Sequence, residues 1–429
     1  MLEKSRIYVV TFGCPKNIVD SEYLLGQLEL NNAILVDSLT DADTLIINTC
    51  GFIQDAKQES INAILEAVER KNRKQLKRII VMGCLSERYR KELAEEIPEV
   101  DYYFGTNQLN EVINIINPCY NKNLPLYRRI LTTPSHYAYL KIAEGCDNPC
   151  SFCSIPLIRG KYKSRSIDEL IQEARFLAEK GVKELILVAQ DTTYYGLDIY
   201  GKRELSNLIR ELNKIDEIGW IRLLYTFPAK FPMDLIDVFN ECEKLCHYID
   251  IPIQHCSDGV LKSMRRGITK ETMTNLLMQL KQGISNLALR TTIIVGYPVE
   301  TKQDFEALCA YIKDIRFHRL GVFKYSQEEG TEASVLGDPV PSEVKEQRER
   351  ILMEIQKEIS LEHNEELIGK TVKVIIDSKE GDLYIGRTEW DAPEIDQEVL
   401  IQSNLPLMIG EFYNVKITDA TEYDLYASV

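Results

Sequence analysis

Three cysteines lie within eight residues of one loop, in the segment GCDNPCSFC: Cys146, Cys150 and Cys153. Disulfides between cysteines so close in sequence would be strained, whereas three thiolates on a loop with glycine and proline can wrap a compact metal cluster. Three ligands leave one iron of a four-iron, four-sulfur cluster without a protein thiolate, and that iron can bind a small molecule. The alternative is a set of zinc ligands, although zinc sites favour paired C-x2-C spacings.

A second set of cysteines is spread along the first hundred residues. Cys14 follows the apolar run RIYVVTFG, Cys50 follows TLIINT, and Cys84 follows RIIVMG. If these runs are parallel strands, all three thiols reach the carboxyl edge of one sheet, where open α/β sheets place their ligands. We therefore predict a second cluster with one open iron; the alternative is three buried packing residues. Residues beside Cys14 are expected to orient sulfur or substrate: Lys16, Asn17, Asp20 and Glu22.

The elements that position these cysteines follow from hydrophobic periodicity. Apolar strands alternate with amphipathic helices over residues 1–117, which predicts a parallel-sheet α/β domain covered on both faces. Residues 118–135 are polar, contain three prolines and are predicted to be a linker. The alternation restarts over 136–366 with about six βα units, so we predict a partial (β/α)6 barrel with its chemistry at the carboxyl ends of the strands. Residues 367–429 contain only short strands and predict a small antiparallel β-barrel of the OB type.

The amino-acid composition limits the classes of protein to which this chain can belong. The 429 residues are 45% hydrophobic and 27% charged, as in ordinary globular proteins. No apolar run approaches the roughly 18 residues that span a bilayer, so we expect no membrane segment and a cytoplasmic location. The eleven cysteines cannot all pair, which favours a reducing compartment, and a net charge of −15 argues against coating nucleic acid. The cysteines outside the two trios are expected to be packing residues: Cys119, Cys242, Cys246, Cys256 and Cys309.

The C-x3-C-x2-C spacing, with Phe152 before the last cysteine, resembles the signature of the radical S-adenosylmethionine (SAM) superfamily. In that superfamily loops at the strand ends of a partial barrel hold SAM against the cluster. The resemblance implies SAM contacts at the predicted strand ends: Gln190, Asp191, Gln254, His255, Gly296, Tyr297 and Pro298. It leaves three possibilities for the SAM carboxylate: Arg290, Lys324 and Glu300.

The whole layout resembles the methylthiotransferases, which join a three-cysteine domain, a radical SAM barrel and a terminal β-barrel called TRAM. GCPKNIVDSE at the first cysteine is similar to the subfamily that modifies an aspartate of the small-subunit ribosomal protein S-twelve (the RimO type). Three further segments are similar to that subfamily: CGFIQDAKQES, IPLIRGKYKSR and IPIQHCSDGVLKSMRR.

This resemblance implies two 4Fe-4S clusters, SAM, an external electron donor and methylthiolation of the aspartate β-carbon. Because that C–H bond is unactivated, a cofactor radical is needed to break it. Two alternatives remain: a methylthiotransferase of isopentenyl-adenosine in tRNA (the MiaB type) and a non-catalytic iron–sulfur protein.

The C-terminal segment is acidic. From residue 369 it contains five basic and twelve acidic residues, a balance of −7. An acidic surface repels phosphates and attracts a protein rich in lysine and arginine. We therefore expect ribosomal protein S-twelve, free or in the small subunit, to dock on this domain, with no direct tRNA substrate and no membrane partner. The alternative is a solvated acidic face without a partner.

Overall fold

The computed structural model describes residues 5–429, which form two compact units. The first contains the described chain up to Thr132 together with Glu144–Asp147 and Ser154–Lys163. The second contains Thr133–Ala143, Asn148–Cys153 and Ser164–Val429. No helix within residues 5–429 is long and apolar enough to cross a membrane.

The first unit is built on a five-stranded sheet whose neighbouring strands are all parallel. Its strands are β1 (Arg6–Thr11), β2 (Ile34–Leu35), β3 (Thr44–Thr49), β4 (Arg78–Gly83) and β5 (Tyr102–Tyr103). Its helices are α1 (Pro15–Leu30), α2 (Gln54–Asn72), α3 (Cys84–Glu96) and α4 (Leu109–Ile116). The strand order is β2-β1-β3-β4-β5, so the direction of winding reverses between β1 and β3. Open α/β sheets bind ligands at such a switch point, outside the carboxyl ends of the strands.

Both faces of this sheet are buried, as the continuous apolar strands predict. Successive residues of β3 alternate between two cores: Ile46 packs in a cluster with Ile80, and Ile47 packs in another with Val81. Each of these side chains is fully buried. The register of the strands, and with it the position of the cysteines that follow them, is therefore fixed by side-chain burial on two sides.

The segment predicted as a linker is anchored to the first unit as far as Thr132. The fully buried side chain of Arg129 lies 3.2 Å from a carboxylate oxygen of Glu22 in α1. The backbone N–H of Thr132 donates to the other oxygen of Glu22 at 2.8 Å, and Gln27 donates to the Pro125 carbonyl at 3.0 Å. These polar contacts hold the segment along α1.

The second unit contains an open sheet of six parallel strands in the order β6-β9-β10-β11-β12-β13. The strands of this part of the chain are β6 (Tyr137–Lys141), β7 (Ala143–Glu144), β8 (Lys163–Ser164), β9 (Glu184–Val188), β10 (Trp220–Leu223), β11 (Leu245–Asp250), β12 (Ala288–Val295) and β13 (Arg319–Lys324). Helix α5 (Ile155–Arg159) belongs to the first unit. The helices of the second unit are α6 (Ile167–Glu179), α7 (Leu197–Tyr200), α8 (Leu205–Asn213), α9 (Leu235–Glu241), α10 (Asp258–Ser263), α11 (Lys270–Gly283), α12 (Lys302–Ile315) and α13 (Ser342–Glu365). Strands β7 and β8 pair only with each other. The six-stranded open sheet confirms the predicted partial barrel.

The C-terminal strands close into a five-stranded barrel in the order β14-β15-β16-β18-β17. They are β14 (Thr371–Glu380), β15 (Leu383–Thr388), β16 (Val399–Gln402), β17 (Phe412–Ala420) and β18 (Leu425–Ser428). Four of the five pairings are antiparallel, and β16 pairs with β18 in parallel. The small β-barrel is therefore confirmed, with one parallel pair in its closure.

Buried ion pairs join this closed barrel to the amino ends of the parallel strands. Glu184, the first residue of β9, accepts hydrogen bonds from Arg222 of β10 at 2.6 Å and from Arg387 of β15 at 2.8 Å. Arg387 also donates to Asp377 at 2.6 Å, and His136 lies 2.7 Å from the same carboxylate. Because buried charges must be paired to be tolerated, these contacts bind the closed barrel firmly to the sheet.

Candidate metal centres

The three N-terminal cysteines emerge from adjacent parallel strands at one edge of the first unit's sheet. Cys14 follows β1 and directly precedes α1, Cys50 directly follows β3, and Cys84 is the first residue of α3. Cys50 and Cys84 are buried, and the charges of Cys14 and Cys50 both act on Cys84. The structure thus brings together three thiols that are far apart in sequence, beside the switch point of the sheet.

Glycines permit this close approach. Gly13 has a φ of +96°, and a Cβ there would lie 2.8 Å from Cys50 Cβ and 2.9 Å from Cys50 Sγ. Gly83 has a φ of +99°, and its Cβ would lie 2.6 Å from the Thr49 carbonyl oxygen. Only glycine adopts such a backbone conformation readily and leaves the space that the neighbouring chain occupies. The two glycines therefore set the positions of the cysteines that follow them.

Polar contacts fix the loops that carry the thiols. The buried hydroxyl of Ser60 accepts from the Cys50 backbone N–H at 3.0 Å and donates to the Cys50 carbonyl at 3.1 Å. The Asn17 amide donates to the carbonyls of Phe12 and Thr49 at 2.8 and 3.0 Å, which links the loops after β1 and β3. These hydrogen bonds hold the backbone at Cys50 and tie it to the loop that carries Cys14.

The charges around the trio differ from thiol to thiol. Burial would raise the pKa of Cys14, but the charges of Lys16 and Arg159, together with backbone hydrogen bonds to the sulfur, outweigh burial and lower the pKa. Burial raises the pKa of Cys50, and it raises that of Cys84 to about 11. Cys14 and Cys84 also lie at helix N-termini, which favour negative charge. The site therefore contains positive side chains and helix N-termini that stabilise thiolates.

Arg159 contacts one of the N-terminal thiols but was not predicted from the sequence. It ends α5, and its Nη2 donates to Cys84 Sγ at 3.3 Å and to the Asn17 side-chain oxygen. Its Nη1 donates to Asp20 at 2.8 Å and to Glu144 at 2.9 Å. The only sequence signal was its presence in the IPLIRGKYKSR segment, because 75 positions separate it from Cys84.

The residues predicted to surround Cys14 have separate positions. Asn17 and Asp20 both contact Arg159 beside the thiols, and the charge of Lys16 acts on Cys14. Glu22 instead pairs with Arg129 and Thr132, on the side of α1 that holds the segment before β6. We therefore place three of the four residues near the thiols.

The donor set fits an iron–sulfur cluster. Within residues 5–429, no group of three or more His, Cys, Asp or Glu side chains is arranged to hold a single metal ion. Thiolates that bind a four-iron cluster contact separate irons and need not converge on one point. An all-thiol set is typical of iron–sulfur clusters and zinc, and here it lies among a buried guanidinium and helix N-termini that suit an anionic group.

The second cysteine motif occupies the loop between β7 and α5. The backbone N–H of Cys146 donates to the Gly160 carbonyl at 3.1 Å, and that of Cys153 donates to the Cys150 carbonyl at 3.1 Å. Arg266 is buried, and its Nη1 donates to Cys150 Sγ at 3.3 Å. A charged donor on the sulfur suits a thiolate ligand at Cys150.

The predicted SAM-contacting residue Asp191 supports the cysteine loop. One of its carboxylate oxygens accepts from the Asn148 amide at 2.8 Å, and the other accepts from the Thr193 hydroxyl at 2.6 Å. Burial raises its pKa. Gln190, directly before it, is half-buried and lies two residues after the end of β9.

Gln254 and His255 follow β11 on an unusual stretch of backbone. Gln254 has a φ of +70°, and its backbone pairs with Ile293 of β12. The fully buried His255 accepts at Nδ1 from the Ser257 N–H at 2.9 Å, and its Nε2 lies 4.0 Å from a Glu300 carboxylate oxygen. A non-glycine residue held at positive φ marks a position that the surrounding structure constrains strongly.

The Gly296 turn is filled by the protein itself. Gly296 has a φ of +72°, its N–H donates to Glu300, and a Cβ there would collide with the Lys345 side chain of α13. The Tyr297 hydroxyl lies 3.0 Å from Ser151 Oγ of the cysteine loop, and Pro298 is half-buried. Gly296 thus provides space for Lys345, and Tyr297 reaches the cysteine loop.

The three possibilities for the SAM carboxylate all have protein partners. Arg290 donates to Asp250 at 3.0 Å and to Asp396 at 3.3 Å. Lys324 lies within 4 Å of two glutamates of α13, and Glu300 accepts from the Gly296 and Tyr297 N–H groups. Arg290 is thus engaged in the contact with the C-terminal barrel.

Comparison with known families divides the chain into three matched regions. A family described as uncharacterized protein family UPF0004 matches residues 6–105, the radical SAM superfamily matches residues 140–312, and the TRAM domain matches residues 368–429. Among solved structures, the radical SAM methyltransferase TsrM from Kitasatospora setae, with tryptophan substrate and a SAM analogue bound, has a TM-score of 0.58 at 13% identity. That likeness covers 88% of this chain and 79% of TsrM and concerns the fold.

Relatives of known name match along nearly the full length. A protein of Christiangramia forsetii named ribosomal protein uS12 methylthiotransferase RimO is 52% identical over 99% of this chain and 94% of its own length. A protein of the same name from Flavobacterium psychrophilum is 51% identical over 99% of this chain and 98% of its own. The resemblance to radical SAM methylthiotransferases of the RimO type is confirmed, and the chain belongs to the family of ribosomal protein uS12 methylthiotransferases RimO.

Proposed function

We propose that this chain is a radical SAM enzyme that adds a methylthio group to the β-carbon of an aspartate in ribosomal protein uS12. The observation that carries the proposal is the convergence of Cys14, Cys50 and Cys84 at the switch point of one sheet, in a chain that also carries the C-x3-C-x2-C motif. Proteins named RimO that are 52% and 51% identical over 99% of this chain support ribosomal protein uS12 as the substrate. No observation favours tRNA over this protein substrate.

We further propose two 4Fe-4S clusters, one on each cysteine trio. SAM would bind to the cluster of the C-x3-C-x2-C motif. Cys146, Cys150 and Cys153 would hold the cluster that binds SAM, and Cys14, Cys50 and Cys84 would hold the other. When bound, these groups would supply the electron that cleaves SAM, the radical chemistry that an unactivated C–H bond requires, and the sulfur to be transferred, which a second SAM would methylate. An external one-electron donor is required.

The chain's own residues position the proposed cluster ligands. Arg159 and Asn17 contact the Cys84 sulfur, and Arg266 contacts the Cys150 sulfur. Asp191 holds Asn148, and Tyr297 holds Ser151, so two barrel loops fix the cysteine loop. Cys50 and Cys84 are buried, whereas Cys14 and the cysteines of the C-x3-C-x2-C motif are partly exposed. Our proposed contacts for SAM remain Gln190, Asp191, Gln254, His255, Gly296 and Pro298.

The C-terminal barrel is our proposed binding site for uS12, although most of its acidic residues contact other parts of this chain. Seven of its twelve acidic residues contact groups of the rest of the second unit: Asp377, Glu389, Asp391, Glu394, Asp396, Glu411 and Glu422. Five remain for its outer surface: Glu380, Asp382, Glu398, Asp419 and Asp424. This smaller acidic face is what a basic ribosomal protein would meet, and we place the reaction in the cytoplasm, with the ribosome.

Two measurements test the proposal. Mass analysis of uS12 and of tRNA from cells with and without this chain should show one uS12 aspartate that is heavier by a methylthio group, and unchanged tRNA. A modified tRNA with unmodified uS12 would replace the proposed substrate.

Iron analysis tests the two clusters. After anaerobic reconstitution, wild-type chain should contain about twice the iron and sulfide of a Cys14→Ala, Cys50→Ala, Cys84→Ala variant, because each trio holds one cluster. The reciprocal variant at Cys146, Cys150 and Cys153 should also lose half and should no longer cleave SAM. Cys119→Ala, which removes an exposed cysteine outside both trios, is the control and should retain all iron. Equal iron in wild type and the first variant would contradict the second cluster.

A further inference from the structure

The guanidinium of Arg159 is held in one orientation by four groups on three different segments. Its side chain is only 2% exposed. Asp20 of α1 and Glu144 of β7 accept from Nη1 at 2.8 and 2.9 Å, and Asn17 accepts from Nη2. The same Nη2 donates to Cys84 Sγ at 3.3 Å. The hydrogen bond to sulfur is therefore one of several that leave the guanidinium no freedom to rotate.

Two carboxylates already balance the charge of Arg159, so an ion pair with the thiol is not needed to stabilise the arginine. What the arrangement adds is a fixed N–H that points at the sulfur. Hydrogen bonds to cluster sulfurs favour the reduced, more negative form of an iron–sulfur cluster and are one of the means by which proteins set its potential.

We propose that Arg159 is a positioning residue that raises the reduction potential of the N-terminal cluster through its hydrogen bond to the Cys84 sulfur. The inference rests on the proposed N-terminal cluster of Cys14, Cys50 and Cys84. It assigns Asp20 and Glu144 the role of orienting the guanidinium, and it gives the IPLIRGKYKSR segment, which follows the other cysteine motif directly, a function at the first trio.

The test uses the full chain with Cys146, Cys150 and Cys153 replaced by alanine, so that only the N-terminal cluster remains. In this background Arg159→Lys and Arg159→Met are reconstituted anaerobically, and iron content and midpoint potential are measured by EPR-monitored titration. Both variants should titrate at a lower potential than their parent. Methionine should give the larger shift, because it removes every donor.

Arg129→Lys is the matched control. Arg129 is an equally buried arginine of the same unit, paired with Glu22. This variant should lower thermal stability and leave the potential unchanged, since a purely structural arginine does not act on the cluster. If both Arg159 variants lose their iron, Asp20→Asn decides, because it keeps the arginine, removes one of the two carboxylates that orient its guanidinium, and should also lower the potential.

The outcomes separate the inference from the proposed function. An unchanged potential in Arg159 variants that retain four irons, or in Asp20→Asn when it decides, overturns the role of Arg159 and leaves the second cluster intact. A parent variant that binds no iron overturns both.

Discussion

At the residue scale, backbone conformation determines where the N-terminal thiols lie. Gly13 combines a φ of +96° with a Cβ position 2.8 Å from Cys50 Cβ, so any side chain there meets both a backbone penalty and a steric one. Gly181 has a φ of +94°, but no atom lies within 4 Å of its Cβ position. The comparison of these glycines separates conformational strain from crowding at the cysteines.

We expect Gly13→Ala to lower the free energy of unfolding by about 2–4 kcal/mol, because strain at positive φ adds to the displacement of Cys50. The N-terminal cluster should be lost in part or entirely, which iron analysis after reconstitution would show. Gly181→Ala should cost about 1–2 kcal/mol and leave the iron content unchanged. Equal iron in the two variants would show that crowding at Cys50 does not matter.

At the scale of elements, three strands meet in one buried ionic cluster. Glu184 of β9 lies between Arg222 of β10 and Arg387 of β15, and all three side chains are at most 3% exposed. Burial alone would raise the pKa of Glu184, but the two guanidiniums hold it below its usual value. The sheet and the closed barrel therefore share one carboxylate.

Replacing that carboxylate by an amide, Glu184→Gln, leaves two buried arginines undercompensated and should cost about 3–5 kcal/mol in the free energy of unfolding. The pKa of Glu184 is lower in the folded protein than in the unfolded chain, where it is near 4.3. The stabilisation that the Glu184 carboxylate provides is therefore present above pH 4.3 and is lost as the pH falls through the folded pKa. The difference between variant and wild type should accordingly shrink in strong acid.

The control is Glu241→Gln, which removes a glutamate that is 54% exposed and pairs with Arg210 on the surface. It should change stability by less than about 1 kcal/mol at every pH, because exposed ion pairs contribute little. A similar cost for the two variants would contradict the buried role of Glu184.

At the scale of the whole molecule, the C-terminal barrel has a hydrophobic core of its own but is joined to the open sheet by polar and aromatic contacts. Arg319 donates to Asp391 at 2.8 Å, Tyr248 donates to Asp396 at 2.7 Å, and Trp220 packs on Phe412 with ring centroids 4.8 Å apart. These contacts tie its strands to those of the open sheet. The domain is therefore expected to unfold together with the sheet and not as a separate module.

Deletion of residues 367–429 should destabilise the remainder of the second unit by removing the partners of Arg222, Arg319 and His136. We expect a lower melting temperature and rapid proteolysis within residues 164–366, measured by mass spectrometry of the fragments. Residues 5–132, which form most of the first unit, should resist the protease as they do in the full chain. A truncated chain with unchanged melting and proteolysis would show that the C-terminal barrel is an independent module.

Much of the site followed from the sequence because its signals are local. Apolar runs that end in cysteine predicted that Cys14, Cys50 and Cys84 share one sheet edge, and the parallel order of β1, β3 and β4 brings them together. The open six-stranded sheet and the small closed barrel were also predicted from strand and helix spacing. Periodicity and the geometry of parallel strands suffice for such features, because neighbouring strand ends necessarily coincide.

Other features depend on contacts between distant segments. Arg159 acts on a thiol 75 positions away, and the acids of the C-terminal barrel are divided between buried ion pairs and the outer surface. Residues 118–132 pack along α1 although their composition indicates a linker. An ion pair has no periodic pattern in the sequence, since any buried arginine can meet any carboxylate that the fold brings near it. The sequence by itself therefore determined which residues can bind clusters, whereas only the tertiary structure decided which charges surround them.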